Sequence, residues 1–345
     1  MVLGFRGGCE GEVSVSLVRR GRIINPGDAA KAAEFIARFS PVPDALALRL
    51  PELLRQLISD ELLSGVVVEY IRHNDPAPEF AAFGLSGFVS EAWADDYLAA
   101  PVPHIELALL DSACRNGQSR DFLNYDEVAQ ANAGDGLTLV PLLWLQATDD
   151  PADPEAHALL RLGQQNFLDR HKGYRLARII KETWAERAFA FQGGGFREHC
   201  RLPAGTPLSF DPGAKLERDH IIYTVTREDI EANWPGTAVG LLFAHEPPGC
   251  GFTQAEQDVL LRAAEGLTDA KIAQELGITT AAVAMRWRSI YARFAEGAPP
   301  ALRFEEASGG RGQEKRRSVV AFVSEHPEEL RPYARPARRN GNAKD

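Results

Sequence analysis

The chain has 345 residues, of which 45% are hydrophobic and 25% are charged, a composition typical of soluble globular proteins. This composition excludes a wholly disordered or collagen-like chain, and the length predicts two domains. The formal net charge of -10 would repel nucleic acid if it were evenly spread, so DNA binding would require a locally basic surface.

No apolar stretch reaches the roughly 20 residues that a membrane-spanning helix needs. Residues 1–11 lack the basic region, apolar run and cleavage site of a secretory signal, so we expect a cytoplasmic protein without membrane contact. The cysteines are scattered and form no CxxC pair, which predicts free thiols and no metal site. They are Cys9, Cys114, Cys200 and Cys250.

The front part of the chain, residues 1–246, mixes helical and strand-like patterns, and residues 1–45 could form a separate extension. Helical patterns cover 51–63, 91–98, 104–114, 125–131 and a long stretch over 154–191. Strand-like runs cover 66–71, 80–89, 137–146, 221–225 and 238–244. Neighbouring strands with helices grouped between them predict an α+β sensor-like domain with a mixed or antiparallel sheet.

A short run of proline and glycine, residues 247–251, predicts a linker and the domain boundary. Beyond it, residues 252–296 predict a small all-α domain of four short helices. Residues 297–345 predict a mostly flexible basic tail with one possible helix over 316–330.

The small domain carries clear helix starts and stops. Thr253 and Glu256 predict a capping box, and Gly266 ends that helix. Thr268 predicts the cap of a second helix, which Gly277 terminates. The next helix has an apolar stripe formed by Val283, Trp287, Ile290 and Phe294. Two helices joined through a glycine turn predict a helix-turn-helix.

This segment resembles the LuxR-type DNA-binding domain over about an eighth of the chain. The residues in register with that family are Thr253, Glu256, Val259, Leu260, Ala264, Gly266, Thr268, Ile272, Ala273, Leu276, Ile278, Val283, Ile290 and Tyr291. The resemblance implies that 269–276 is the scaffold helix and that 280–293 is the recognition helix, which enters the major groove of double-stranded DNA. Ala282 and Ala284 depart from the family pattern at positions that usually touch the DNA backbone.

With the apolar stripe packed inward, one face of the recognition helix is expected to meet DNA. The candidates for base contact are Thr280, Ala281, Ala284, Met285 and Arg288. Arg286 and Arg293 are expected to contact phosphate, and the caps Thr268 and Thr279 complete the predicted DNA-binding set.

Aromatic residues in the front domain suggest either a pocket for a small-molecule effector or simply the core. They are Phe83, Phe88, Trp93, Tyr97 and Trp144. The chain has no GxSxG, Walker or GxGxxG motif, so it is expected to be no enzyme and to need no cofactor.

These observations predict a LuxR-family transcription regulator whose front domain senses a small molecule or protein signal and controls promoter binding. A homodimer is expected because operators are two-fold, and contact with RNA polymerase is a further option. Two alternatives remain. One is a protein-interaction adaptor or anti-activator with a degenerate DNA-binding domain, and the other is an α+β enzyme fused to a helix-turn-helix.

Overall fold

A computed structural model describes residues 17–72, 75–116, 121–148, 150–232, 236–299 and 312–334. Its strands are β1 (Leu17–Ile23), β2 (Ser64–Arg72), β3 (Asp75–Val89), β4 (Leu137–Gln146), β5 (Leu176–Trp184), β6 (Arg197–Leu202), β7 (Pro207–Leu208), β8 (Asp211–Lys215) and β9 (His220–Thr226). Seven of them form one mixed sheet in the order β1-β2-β3-β4-β5-β9-β6, and β7 pairs with β8 in a separate hairpin. All pairings are antiparallel except that of β4 with β5.

Fourteen α-helices lie in the described residues. Those before and between the strands are α1 (Ala29–Phe39), α2 (Asp44–Ala47), α3 (Leu50–Ser59), α4 (Glu91–Ala99), α5 (Ile105–Asn116), α6 (Tyr125–Ala133), α7 (Pro154–His171) and α8 (Ala188–Gln192). Those that follow are α9 (Arg227–Ala232), α10 (Gly240–Phe243), α11 (Gln254–Ala264), α12 (Asp269–Leu276), α13 (Thr280–Gly297) and α14 (Gly312–Glu325).

Both faces of the sheet are buried. Neighbouring residues of one strand point to opposite faces, and β5 shows that each face meets an apolar core. Ile180 of β5 packs into the core beneath α1, α3 and α5, whereas Ile179 packs into the core that α9 and α10 cover. A strand buried on both faces carries a nearly continuous apolar run, which explains why β4 has no polar alternation.

The strand β5 was assigned to the long predicted helix over 154–191, and this assignment was wrong. The helix α7 ends at His171, and Gly173 then adopts a φ of +83°, which turns the chain into the strand. The predicted strand over 238–244 is instead the short helix α10.

The parallel pair β4 and β5 separates early. Only three residue pairs join the strands, and the last is Leu139 with Ile179. Both strands nevertheless continue, β4 to Gln146 and β5 to Trp184. We call the gap between residues 140–146 and residues 180–184 the β4–β5 split. Pro141 lies at its start and has no N–H to offer a neighbouring strand.

The segment after the linker forms three helices, with a fourth contributed by the tail. Thr253 and Glu256 form the predicted capping box, and Gly277 ends α12 in the left-handed conformation. The helices α11, α12, α13 and α14 share one apolar core.

The predicted fold class, with a separate four-helix domain, is therefore corrected. The last helix comes from beyond residue 296, and polar bonds fasten this helical part to the sheet part. Residues 327–334, which we call the C-terminal strap, make those bonds. Asn132 donates to the carbonyl of Pro332 at 2.7 Å, and Gln257 donates to the carbonyl of Arg331 at 2.8 Å. The predicted domain boundaries stay a prediction.

The predicted tail helix over 316–330 corresponds to α14 followed by a 3-10 turn, Pro327–Leu330. Part of the predicted flexible tail, 300–311 and 335–345, lies outside the described residues, as do residues 1–16 of the predicted 1–45 extension. Within the described part of the chain, no helix combines the length and apolar character needed to cross a bilayer.

Candidate active site

Five ionisable side chains lie near one another around β5, and one of them, Lys181, enters the β4–β5 split. β5 contributes Lys181 and Glu182, β9 contributes His220, and the start of α5 contributes His104 and Glu106. Glu182 lies on β5 and His220 lies on β9, which pairs with β5. The helix α5 packs on the sheet face that carries Ile180 and Ile222. Buried ionisable groups with mutual contacts are frequent at functional sites.

Glu182 and His220 form a buried pair. His220 Nδ1 lies 2.5 Å from Glu182 Oε1, and both side chains are less than one-tenth exposed. Burial raises the pKa of Glu182, but hydrogen bonds from His220 and two backbone N–H groups outweigh this effect, so its pKa is lowered. An ionised Glu182 selects the tautomer with the proton on Nδ1. His220 Nε2 then carries a lone pair and makes no hydrogen bond to any residue that the structure describes.

The start of α5 holds Glu182 in place. The backbone N–H of His104 donates to Oε1 at 2.9 Å, and that of Ile105 donates to Oε2 at 2.7 Å. Two successive N–H groups converge on one carboxylate because His104 has a φ of +59°, in the left-handed region that non-glycine residues rarely adopt. Such a conformation costs on the order of 1 kcal/mol and is found most often at functional sites.

His104 is the second histidine of the site. Its Nδ1 lies 3.0 Å from Glu106 Oε1, and its ring centroid lies 5.1 Å from that of His220. Burial lowers the pKa of His104, but the hydrogen bond and charge of Glu106 and the charge of Glu182 outweigh it and raise the pKa. His104 is thus the histidine of the site that is suited to hold a proton.

Lys181 reaches into the split itself. Its Nζ donates to the carbonyl of Pro141 at 2.9 Å and to that of Leu142 at 3.3 Å. Burial lowers the pKa of Lys181, although the charges of Glu106 and Glu182 act in the opposite direction. Tyr223, its partner across the β5–β9 ladder, is buried, and its hydroxyl makes no hydrogen bond within the described chain. Buried hydroxyls without a partner are rare in proteins.

Two aromatic side chains of the predicted ligand pocket lie near this cluster. Tyr97 is buried and stacks on Trp93 at 5.1 Å, and burial together with the charge of Glu182 raises the pKa of Tyr97 well above its ordinary value. The other three predicted residues lie elsewhere. Phe83 is in the core beneath α1, the ring of Phe88 lies tilted against that of Tyr174, and the ring of Trp144 lies against Gly163 of α7. As ligand contacts, all five stay a prediction.

The predicted DNA-binding residues lie on α12 and α13 as expected from the helix pattern. Thr268 and Thr279 accept hydrogen bonds as helix caps. The candidates for base contact are all exposed; they are Thr280, Ala281, Ala284, Met285 and Arg288. Two of the three arginines are turned toward protein instead. Arg293 pairs with Glu256 at 2.9 Å, and the half-buried Arg286 lies near Asp258.

Sequence reasoning missed the five site residues because they form no local motif. The available signal was the segment Ile179–Trp184, in which two charges interrupt a β-branched run, but that segment was assigned to a helix. His104 and Glu106 belong to a different element, and only the tertiary structure brings them to β5.

No family model and no curated protein matches this chain. Solved structures similar to it include Arabidopsis thaliana NAA60 in complex with acetyl-CoA, with 14% identity and a TM-score of 0.37 over 61% of this chain and 99% of that one. A Desulfovibrio desulfuricans protein described as an acetyltransferase of the GNAT family has 14% identity and a TM-score of 0.31 over 61% and 99%. FeeM, an N-acyl amino acid synthase from uncultured soil microbes, has 10% identity and a TM-score of 0.34 over 66% and 99%.

These comparisons correct the predicted identity. The predicted LuxR family, DNA binding and transcription regulation are corrected, as is the prediction that the chain is not an enzyme: the similar structures include proteins described as an acetyltransferase and an N-acyl amino acid synthase. The predicted partners, headed by double-stranded DNA, are corrected with them. A physical reason for correcting the DNA-binding prediction is that Arg293 pairs with Glu256, which reduces the positive charge that α13 can offer to phosphate.

An α+β enzyme is among the functions that the sequence left open, and two of the similar structures are described as enzymes. Identities of 10% to 14% and TM-scores of 0.31 to 0.37 are too low to transfer an activity. The chemistry must therefore rest on the residues of this chain.

Proposed function

We propose that this chain is an acyltransferase that moves an acyl group from a thioester to an amine, with His220 as the general base. The observation that supports it best is the buried pair of Glu182 and His220, in which Nε2 of His220 makes no hydrogen bond to the described residues. A base positioned by a carboxylate can remove the proton that an attacking amine must lose.

The two histidines match the two proton transfers of this reaction. The amine nitrogen attacks the acyl carbon and gives its proton to His220 Nε2, and the negative charge of Glu182 stabilises the imidazolium that forms. The carbon–sulfur bond breaks, and His104, whose pKa is raised, gives a proton to the departing sulfur. Both rings return to their starting state by exchange with solvent. Environments that separate the proton affinities of two groups assign the acid and the base in this way.

The split supplies a place for the donor. Beyond Leu139 and Ile179 the facing edges of β4 and β5 are not paired with each other, so their backbone groups can bind an extended arm that contains amides. Acetyl-CoA, the ligand of the Arabidopsis protein, has such an arm and is the first donor to test. An activated ester without the arm, p-nitrophenyl acetate, tests the base separately.

The experiment measures release of thiol or p-nitrophenol by the full chain, with a panel of primary amines as acceptors. His220→Gln should lower kcat/KM by about 100-fold, the contribution expected of a general base. His157→Gln, which changes an exposed histidine, should leave the rate unchanged. Circular dichroism and urea unfolding establish that the variants are folded. Equal rates for the wild type and His220→Gln with both donors would refute the proposal.

A further inference from the structure

Lys181 is a basic side chain of the site to which the proposed reaction assigns no role. It lies on β5 between Ile180 and Glu182, and its Nζ crosses the β4–β5 split to the carbonyls of Pro141 and Leu142. The lysine thus forms hydrogen bonds with carbonyl groups of β4 that an inserted strand or an extended ligand would otherwise bind. Its amine lies where the acyl donor is proposed to bind.

The hydrogen bonds of Lys181 match a neutral amine. A protonated lysine has three N–H donors, whereas a neutral one has two donors and a lone pair. Nζ has two acceptors in the described residues, the carbonyls of Pro141 and Leu142, at 2.9 and 3.3 Å. When both N–H bonds point at these carbonyls, the lone pair of a neutral Nζ is left without a partner among the described residues.

The surroundings also favour the neutral form. The side chain is half-buried, and burial lowers the pKa of Lys181 despite the carboxylates of Glu106 and Glu182. Buried lysines are known to become nucleophiles by this route. Lys271 on α12, by contrast, is exposed to solvent.

From this geometry we propose that Lys181 is itself an acyl acceptor, so that the chain acylates its own split. The inference rests on the proposed thioester chemistry and names a modification site for it. The lone pair of Nζ attacks the acyl carbon, a carbon–nitrogen bond forms and the carbon–sulfur bond breaks. The leaving thiolate takes up the proton that the nitrogen loses. The product is an amide, which is stable, so the acylated chain keeps its split filled and loses turnover.

The test incubates the full wild-type chain with acetyl-CoA or p-nitrophenyl acetate near neutral pH, without added amine. Peptide mass spectrometry over time then locates the acetyl group. Lys181 should be acetylated at least about 10-fold faster than Lys271, since an ordinary lysine with a pKa near 10.4 is only about 0.1% neutral near pH 7.4. Turnover of added amine should fall in parallel with acetylation.

Two variants control the assignment. Lys181→Met removes the acceptor and should abolish the time-dependent loss of turnover, whereas Lys271→Met should behave as the wild type does. An unmodified Lys181 in a chain that turns over added amines would overturn this inference and leave the proposed function intact. Acetylation of Lys181 without turnover of any added amine would support the inference and count against the proposed function. Equal acetylation of Lys181 and Lys271 would overturn the inference.

Discussion

The candidate active site and the C-terminal strap both contain buried charged side chains, but these side chains differ in how many of their hydrogen bonds are made within the protein. In the strap, Glu329 accepts from the backbone N–H groups of Gly249 and Cys250, and Arg331 donates to two carbonyls at the end of α7. In the site, Nε2 of His220 makes no hydrogen bond to the described residues, and Nζ of Lys181 bonds only to the carbonyls of Pro141 and Leu142.

The difference separates structural from chemical use of buried charge. A group whose hydrogen-bonding capacity is fully used can fasten two elements but has nothing to offer a substrate. A group held by one partner and open on its other side is positioned and still reactive. Burial alone therefore does not distinguish a site from a fastening.

The largest expected effect concerns the fastening. Arg331 is 2% exposed, donates to the carbonyls of Asp169 and Lys172 at 2.8 Å, and lies over the ring of Tyr174. Burial lowers its pKa to about 10. Arg331→Met leaves two carbonyls without their donors and should lower the free energy of unfolding by about 3 kcal/mol.

Urea unfolding measures this loss, with Arg317→Met on the exposed side of α14 as the control. A loss below about 1 kcal/mol would show that the strap does not depend on Arg331. A folded Arg331→Met should keep its rate of acyl transfer, because the strap contributes no group to the split.

Local features were predictable from the sequence, while the site and the function were not. The capping box at Thr253 and the stop at Gly277 depend on residues a few positions apart, and the structure has both. The site joins His104 to Glu182 across 78 positions, which no periodic pattern reveals. Lys181 and Glu182 also made the strand hard to predict, because a short apolar run that contains two adjacent charges fits a helix equally well.

The mistaken DNA-binding interpretation has the same origin. The sequence shows how many arginines α13 carries, but it does not show where their charges are used. Arg293 pairs with the buried Glu256 at 2.9 Å and donates to the carbonyl of Gly251 at 3.0 Å. Arg288, five positions earlier on the same helix, is exposed.

Replacing these two arginines tests this difference. Arg293→Met should lower the free energy of unfolding by about 2 kcal/mol, because it leaves the buried carboxylate of Glu256 without its cation. Arg288→Met should change it by less than about 0.5 kcal/mol, as is usual at an exposed position. Thermal or urea unfolding of both variants measures these two changes in stability. Equal stabilities would mean that the contact of Arg293 with Glu256 contributes nothing.

The smallest expected effect is a change of stability with pH at the site. The pKa of His104 is raised in the folded chain, chiefly by Glu106 once the opposing effect of burial is overcome. The contribution of this pair is therefore fully present below the ordinary histidine pKa of about 6.5, and it is lost as the pH rises through the raised value. Glu106→Gln should lower the free energy of unfolding by about 1 kcal/mol near pH 6 and by less near pH 9.

A matched control separates this titration from a general effect of removing a carboxylate. Glu198 pairs with Arg201, whose charge does not change over this range, so Glu198→Gln should have the same small effect at both pH values. If the cost of Glu106→Gln were constant or grew toward high pH, the proton on His104 would not be held by Glu106. His104 would then lose its role as the acid of the proposed reaction, whereas His220 would keep its contact with Glu182, which does not involve Glu106.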